Sequence, residues 1–299
     1  MSARVPTDIP TGVPGCMPSG IDADSVALTL LDVAGARGSL PARLFRPPQQ
    51  DADCLVVFFP SGGFTEDQLE CVDAFARALA AESQIAVLAS AYTLATEAPF
   101  PAAAEDAHAV LAWATKHRAQ FGWNGSHLIV AGVEAGGNLA AVAALMARDR
   151  GGPPVAAQLL IMPMLDPNLS TCSMREMSSD SGVVETVSSC VQGYRGYLPR
   201  AIDRAHPYAS PLNSSRMSRL PPALILTADE DPLRDEAEAY GAKLAKAGIR
   251  ASVKRLPPLA LSEPNARCDS VRQQNVLHEI RQFFSELCAE ASSASTPTS

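Results

Sequence analysis

The residue best placed to do chemistry in this sequence is a glutamate in a turn built to expose a side chain. The segment Gly132-Val133-Glu134-Ala135-Gly136-Gly137-Asn138-Leu139 follows a short apolar run and opens a helical pattern. Glycines two before and two after a central residue let a strand turn sharply into a helix. The central side chain is then pushed out over the helix N-terminus. This is the spacing of a nucleophile elbow, G-x-S-x-G, with Glu134 at its centre in place of serine. A carboxylate there has three chemical readings. It can act as a general base, attack as a carboxylate nucleophile, or fold back onto N–H donors that favour negative charge. The plain alternative is drift at a dead site, where any residue that fits the turn survives.

A second Gly-rich turn reads Phe58-Phe59-Pro60-Ser61-Gly62-Gly63-Phe64. Ser61 has no base in its neighbourhood, so a loop hydrogen bond is its expected role; Ser262 stands in the same position. Cys16, Cys54, Cys71, Cys172, Cys190, Cys268 and Cys288 form no CxxC pair and no zinc-type spacing. No cofactor and no metal are expected. Met162, Met164, Met174 and Met177 read as core filling, or as a flexible pocket lining.

The elements that must position these turns follow from periodicity. Strands are expected at Val26–Leu30, Ala42–Phe45, Leu55–Phe59, Ile85–Ala89, Leu128–Ala131, Ala157–Ile161, Ala223–Leu226 and Ala251–Arg255. Helices are expected at Glu66–Glu82, Pro101–Gln120, Gly137–Arg148, Glu236–Ala247 and Asp269–Ser292, with one more near Val183–Tyr197. Alternation of strand and helix after residue 55 predicts a doubly wound α/β sheet. The first two strands have no helix between them, which predicts an antiparallel start.

Composition sets the exclusions. The chain has 299 residues and a formal charge of −8, so it lacks the basic surplus that nucleic acid or an anionic membrane surface requires. No apolar run reaches membrane-spanning length and no signal peptide is visible. Sparse, unpatterned cysteines fit a reduced, cytoplasmic protein. The Pro- and Gly-rich stretch 1–22 reads as an N-terminal arm that contributes to a cap. Residues 23–290 read as one domain with a cap insertion at about 166–219, and 291–299 as a disordered tail.

The motifs in order make the reading specific. Pro60-Ser61-Gly62-Gly63-Phe64 is followed by Ala91-Tyr92-Thr93-Leu94-Ala95-Thr96-Glu97 and Pro99-Phe100-Pro101. Then come the Glu134 elbow, His206-Pro207-Tyr208-Ala209-Ser210-Pro211-Leu212 and Asp231-Pro232-Leu233-Arg234-Asp235-Glu236. Over roughly residues 20–290 the chain resembles the bacterial hormone-sensitive-lipase-like esterases of the α/β-hydrolase fold. The resemblance implies a mostly parallel eight-stranded sheet flanked by helices. It also implies a Ser, Asp and His triad in that chain order. The serine position is Glu134, the acid position is Asp231, and the register just past the last strand puts Leu261 where the histidine belongs. None of His108, His117, His127, His206 or His278 falls there. The N–H groups of Gly62, Gly63 and Ala135 occupy the oxyanion-hole positions, where Glu134 could fold back and fill the hole or instead reach into the pocket. Asp231 has a second reading as a cap for the helix that follows it.

Two readings of function stand ahead of a third, an ordinary hydrolase, which the absent serine and histidine make the weakest mechanistically. One is an inactive pseudo-esterase that binds a small hydrophobic molecule, an acyl compound or a protein partner, with a homodimer implied by the resemblance. The other is an enzyme of altered chemistry, such as a lyase or cyclase, with Glu134 as base or nucleophile. In that second reading Glu134 and Asp231 could also hold a cation between them.

Overall fold

The computed structural model describes residues 22–177, 183–259, 261 and 266–294. The N-terminal arm up to residue 21, Cys16, Ser262 and residues 295–299 lie outside the described residues. The side chain of Cys288 does as well.

Eight strands form one sheet: β1 (Ala27–Ala34), β2 (Ser39–Arg46), β3 (Asp51–Phe59), β4 (Ile85–Ser90), β5 (His127–Val133), β6 (Val155–Ile161), β7 (Ala223–Ala228) and β8 (Ala251–Leu256). Their order is β1-β2-β4-β3-β5-β6-β7-β8. The β1–β2 and β2–β4 pairs are antiparallel and every later pair is parallel. The antiparallel start and the parallel remainder therefore stand as expected. The helices are α1 (Asp73–Ser83), α2 (Ala102–Lys116), α3 (Ala135–Arg150), α4 (Cys172–Met177), α5 (Val184–Tyr197), α6 (Arg234–Lys246), α7 (Ala266–Ser270) and α8 (Gln274–Ala294).

Alternation along β3 shows how the sheet is buried on both faces. Leu55, Val57 and Phe59 join the cluster formed with α2 and α3, while Val56 and Phe58 join the cluster formed with α1 and α8. A strand apolar at every position fits only between two helix layers. Helix α3 is buried from Ala135 through Ala147. Its alanine and glycine surface lets it lie close to both the sheet and α2. Helix α8 is amphipathic instead, burying Val276, Leu277, Ile280, Phe283, Phe284 and Leu287 at helical spacing.

The structure moves several expected boundaries. The helix expected from Glu66 begins at Asp73, because Thr65 N–H and Glu66 N–H turn back onto the Gly62 carbonyl. The helix expected from Asp269 is two helices, α7 and α8. Helix α8 continues to Ala294, past the boundary expected at 291. Between β6 and β7 the segment about 166–219 carries α4, α5 and two short 3₁₀ turns. No helix among the described residues is long and apolar enough to cross a membrane.

Candidate active site

Strand β5 ends at Val133 and α3 begins at Ala135, so Glu134 alone makes the turn, at φ 56° and ψ −113°. Such a conformation in a residue with a Cβ costs about 1–3 kcal/mol and persists only when the surroundings hold it. Here they do. Glu134 N–H donates to the Ile161 carbonyl at 3.0 Å, and its own carbonyl accepts from Asn138 N–H at 3.1 Å and Met164 N–H at 3.0 Å. Gly136 passes so close to the end of β3 that a Cβ there would lie 2.0 Å from the Phe59 carbonyl oxygen. The elbow is thus fully formed around a residue other than serine.

The second glycine turn packs beside it. Tyr92 Oη donates to the Ser61 carbonyl at 3.0 Å, pinning the loop to the segment after β4. Phe64 stacks on Tyr197 of α5, with ring centroids 4.0 Å apart. Gly193 of α5 lies against Gly63, where a Cβ would approach the Gly63 carbonyl oxygen to 2.4 Å. Helix α5 therefore roofs the loop.

Glu134 is 7% exposed. Its Oε2 accepts from Gly62 N–H at 3.1 Å. The carboxylate does fold back onto this loop, but onto Gly62 alone. Among the described residues neither Gly63 nor Ala135 N–H donates to it.

Asp231 is wholly buried in the loop after β7. Its Oδ1 accepts from Leu233 N–H at 2.8 Å, one residue ahead of α6. Its remaining partner is a residue that sequence reading missed. Arg267 of α7 grips Asp231 side-on, with Nε to Oδ2 at 2.8 Å and Nη2 to Oδ1 at 3.2 Å. The third nitrogen, Nη1, lies 3.9 Å from Glu134 Oε1. Burial alone would lower the guanidinium pKa. The charges of Asp231 and Glu134 and the hydrogen bonds to Asp231 outweigh that and raise it. Arg267 stays protonated.

Arg267, and no residue at the Leu261 position, pairs with the acid Asp231. Leu261 lines the cleft, and its carbonyl accepts from Thr186 Oγ1 at 3.5 Å. The acid's charged partner, however, comes from Arg267 on the following helix. The place between Glu134 and Asp231, where a cation was one possibility, is taken by the chain's own guanidinium. One signal for Arg267 was present: a buried carboxylate demands a cation, and Arg267 is the only lysine or arginine between residues 256 and 271.

Around this array lies a cleft of about 430 Å³, within the usual range for small-molecule sites. Ser61, Glu66, Glu134, Glu185, Leu261 and Arg267 contribute to its lining, and no histidine does among the described residues. An adjoining hollow of about 410 Å³ shares Glu66 and Gln68 but contains none of Glu134, Asp231 or Arg267. The nearby thiols are not poised as nucleophiles. Burial pushes Cys268 up to about 12 and raises Cys190 as well, so both are protonated at neutral pH.

Comparison with known proteins agrees with the geometry. A family model described as alpha/beta hydrolase fold matches residues 56–260. The carboxylic ester hydrolase LipN of Mycobacterium tuberculosis is 39% identical over 78% of this chain, which spans 63% of that relative's length. The carboxylesterase NlhH of the same organism is 35% identical over 74% of this chain and 70% of its own. Among solved structures, a hyperthermophilic esterase from Pyrobaculum calidifontis superposes with a TM-score of 0.79 at 33% identity, covering 89% of this chain and 88% of the other. The chain belongs to the hormone-sensitive-lipase-like family of α/β hydrolases.

Proposed function

We propose that this chain is a non-hydrolytic member of its family, a pseudo-esterase whose cleft binds a small molecule without turning over an ester. The observation that carries the reading is the Glu134–Arg267–Asp231 array. Acyl transfer on this scaffold needs a hydroxyl that attacks, a base that takes its proton, and N–H donors free to receive the oxyanion. Glu134 has no hydroxyl to attack with. Arg267 is a protonated cation and cannot accept a proton. The Gly62 N–H is already bonded to a carboxylate, whose charge opposes a developing oxyanion.

Attack by Glu134 itself is disfavoured for a related reason. A carboxylate nucleophile leaves an acyl-enzyme that needs a base-activated water, and among the described residues no histidine lines the cleft. Removing nucleophile or base from such machinery costs on the order of 10⁶ in turnover. The thiols of Cys71, Cys172, Cys190 and Cys268 support a reducing, cytoplasmic setting for this role.

Short p-nitrophenyl esters and a fluorophosphonate probe test the proposal. Turnover is expected to match a heat-denatured control, with no covalent labelling. Turnover well above that control, or stoichiometric labelling, overturns it.

A further inference from the structure

The cleft floor presents a donor nitrogen without a hydrogen bond beside an acceptor oxygen without one. Arg267 spends Nε and Nη2 on Asp231, and its Nη1 makes no hydrogen bond among the described residues. Glu134 spends Oε2 on Gly62, and its Oε1 accepts none. The two atoms are 3.9 Å apart, too far to hydrogen-bond to each other and close enough for one small group to engage both. Both belong to deeply buried side chains, with 13% of Arg267 and 9% of Glu134 exposed, and both residues line the cleft. Each residue is oriented by its other contacts, Arg267 by a side-on grip and Glu134 by the strained elbow.

Complementarity then selects among ligand chemistries. An ester offers acceptors only, so Glu134 Oε1 is left without a donor. A carboxylate offers acceptors only and is repelled by Glu134, and by Glu66 and Glu185, which also line the cleft. An ammonium offers donors only and confronts Arg267. A primary carboxamide places a carbonyl oxygen next to an N–H, matching Arg267 Nη1 and Glu134 Oε1 together. A buried donor or acceptor left unpaired costs about 1–3 kcal/mol, more for charged groups, so this matching discriminates strongly.

We propose that the cleft recognises a neutral carboxamide-bearing small molecule, its carbonyl on Arg267 Nη1 and its N–H on Glu134 Oε1. This inference rests on the non-hydrolytic reading above.

The test uses the full-length protein and five compounds of one size: benzamide, N,N-dimethylbenzamide, methyl benzoate, benzoate and benzylamine. Ligand-observed NMR titration measures each dissociation constant. Benzamide is expected to bind at least about tenfold tighter than the other four, a ratio worth about 1.4 kcal/mol. The N,N-dimethyl compound keeps the acceptor but has lost the donor, so it isolates the Glu134 contact. Glu134→Ala is expected to erase the gap between benzamide and its dimethyl form. Equal or tighter binding of any of the other four to the unaltered protein overturns the proposal, as does failure of benzamide to bind. That ranking needs no variant, so a poorly folded Glu134→Ala protein leaves the test intact. Loss of benzamide preference with methyl benzoate left unhydrolysed overturns the ligand class alone. Hydrolysis of methyl benzoate overturns the non-hydrolytic reading instead.

Discussion

Arg267 Nε lies 2.8 Å from Asp231 Oδ2, and Asp231 is fully buried. The acid of the site is therefore charge-paired with the cation of α7. Breaking such a pair from one side leaves an uncompensated buried charge, which costs about 3–5 kcal/mol. Arg267→Met is expected to destabilise by about that amount in urea unfolding, while Arg267→Met with Asp231→Asn recovers much of the loss. A double-mutant cycle measures this coupling. Additive effects would mean that the two residues do not act as a pair.

The same pairing sets an expectation for building a Ser-His-Asp triad into the cleft. Glu134→Ser with Leu261→His supplies a nucleophile and an imidazole, but Arg267 still occupies Asp231. Hydrolysis of p-nitrophenyl acetate by this double variant is expected to stay at the level of Glu134→Ser. Adding Arg267→Ala frees Asp231 to orient the imidazole, with a gain on the order of a hundredfold, the low end for a positioned base. Initial-rate measurements on the three proteins decide it. Activity in the double variant alone would show that the arginine is no obstacle.

Most of the scaffold was legible because its signals are local. Continuous apolar runs such as Leu55–Phe59 mark strands buried on both faces, and the glycine pattern around Glu134 marks the elbow without reference to its central residue. Helix ends were less legible where a loop competes for the same N–H groups, as at Thr65 and Glu66, which bond to the Gly62 carbonyl. Arg267 was not legible from register. The motif reading looks for an imidazole just past β8, whereas the guanidinium arrives from α7, several residues further on. Its long stem makes up the distance, and only the requirement that buried Asp231 have a cation points to it.

Gly193 offers a test of how α5 controls the cleft. A Cβ there would lie 2.4 Å from the Gly63 carbonyl oxygen, so Gly193→Ala must push α5 away from the loop bearing the Gly62 donor. Overpacking of this kind typically costs about 1–3 kcal/mol. The expected result is a lower thermal midpoint with the fold retained, together with weaker benzamide binding. An unchanged midpoint would mean that α5 does not bear on the loop.

Glu236 gives the protein a pH dependence of calculable sign. It is fully buried, with Oε1 accepting from Leu165 N–H at 2.8 Å and Oε2 unpartnered. Burial, reinforced by the charges of Asp166 and Asp231, raises its pKa well above the ordinary carboxyl range against the opposing Leu165 hydrogen bond. The folded state therefore keeps a proton that the unfolded chain releases above about pH 4.3. From there up to the raised folded value, the folded protein binds more protons, and this residue's contribution to stability falls by about 1.4 kcal/mol per pH unit. Glu236→Gln keeps the acceptor for Leu165 N–H and removes the titration. Relative to the unaltered protein it is expected to gain stability steadily as pH rises from about 5 to 8, with little difference near pH 4. Denaturant unfolding of both proteins across that range measures the slope. A constant difference would show that Glu236 is not protonated in the folded state.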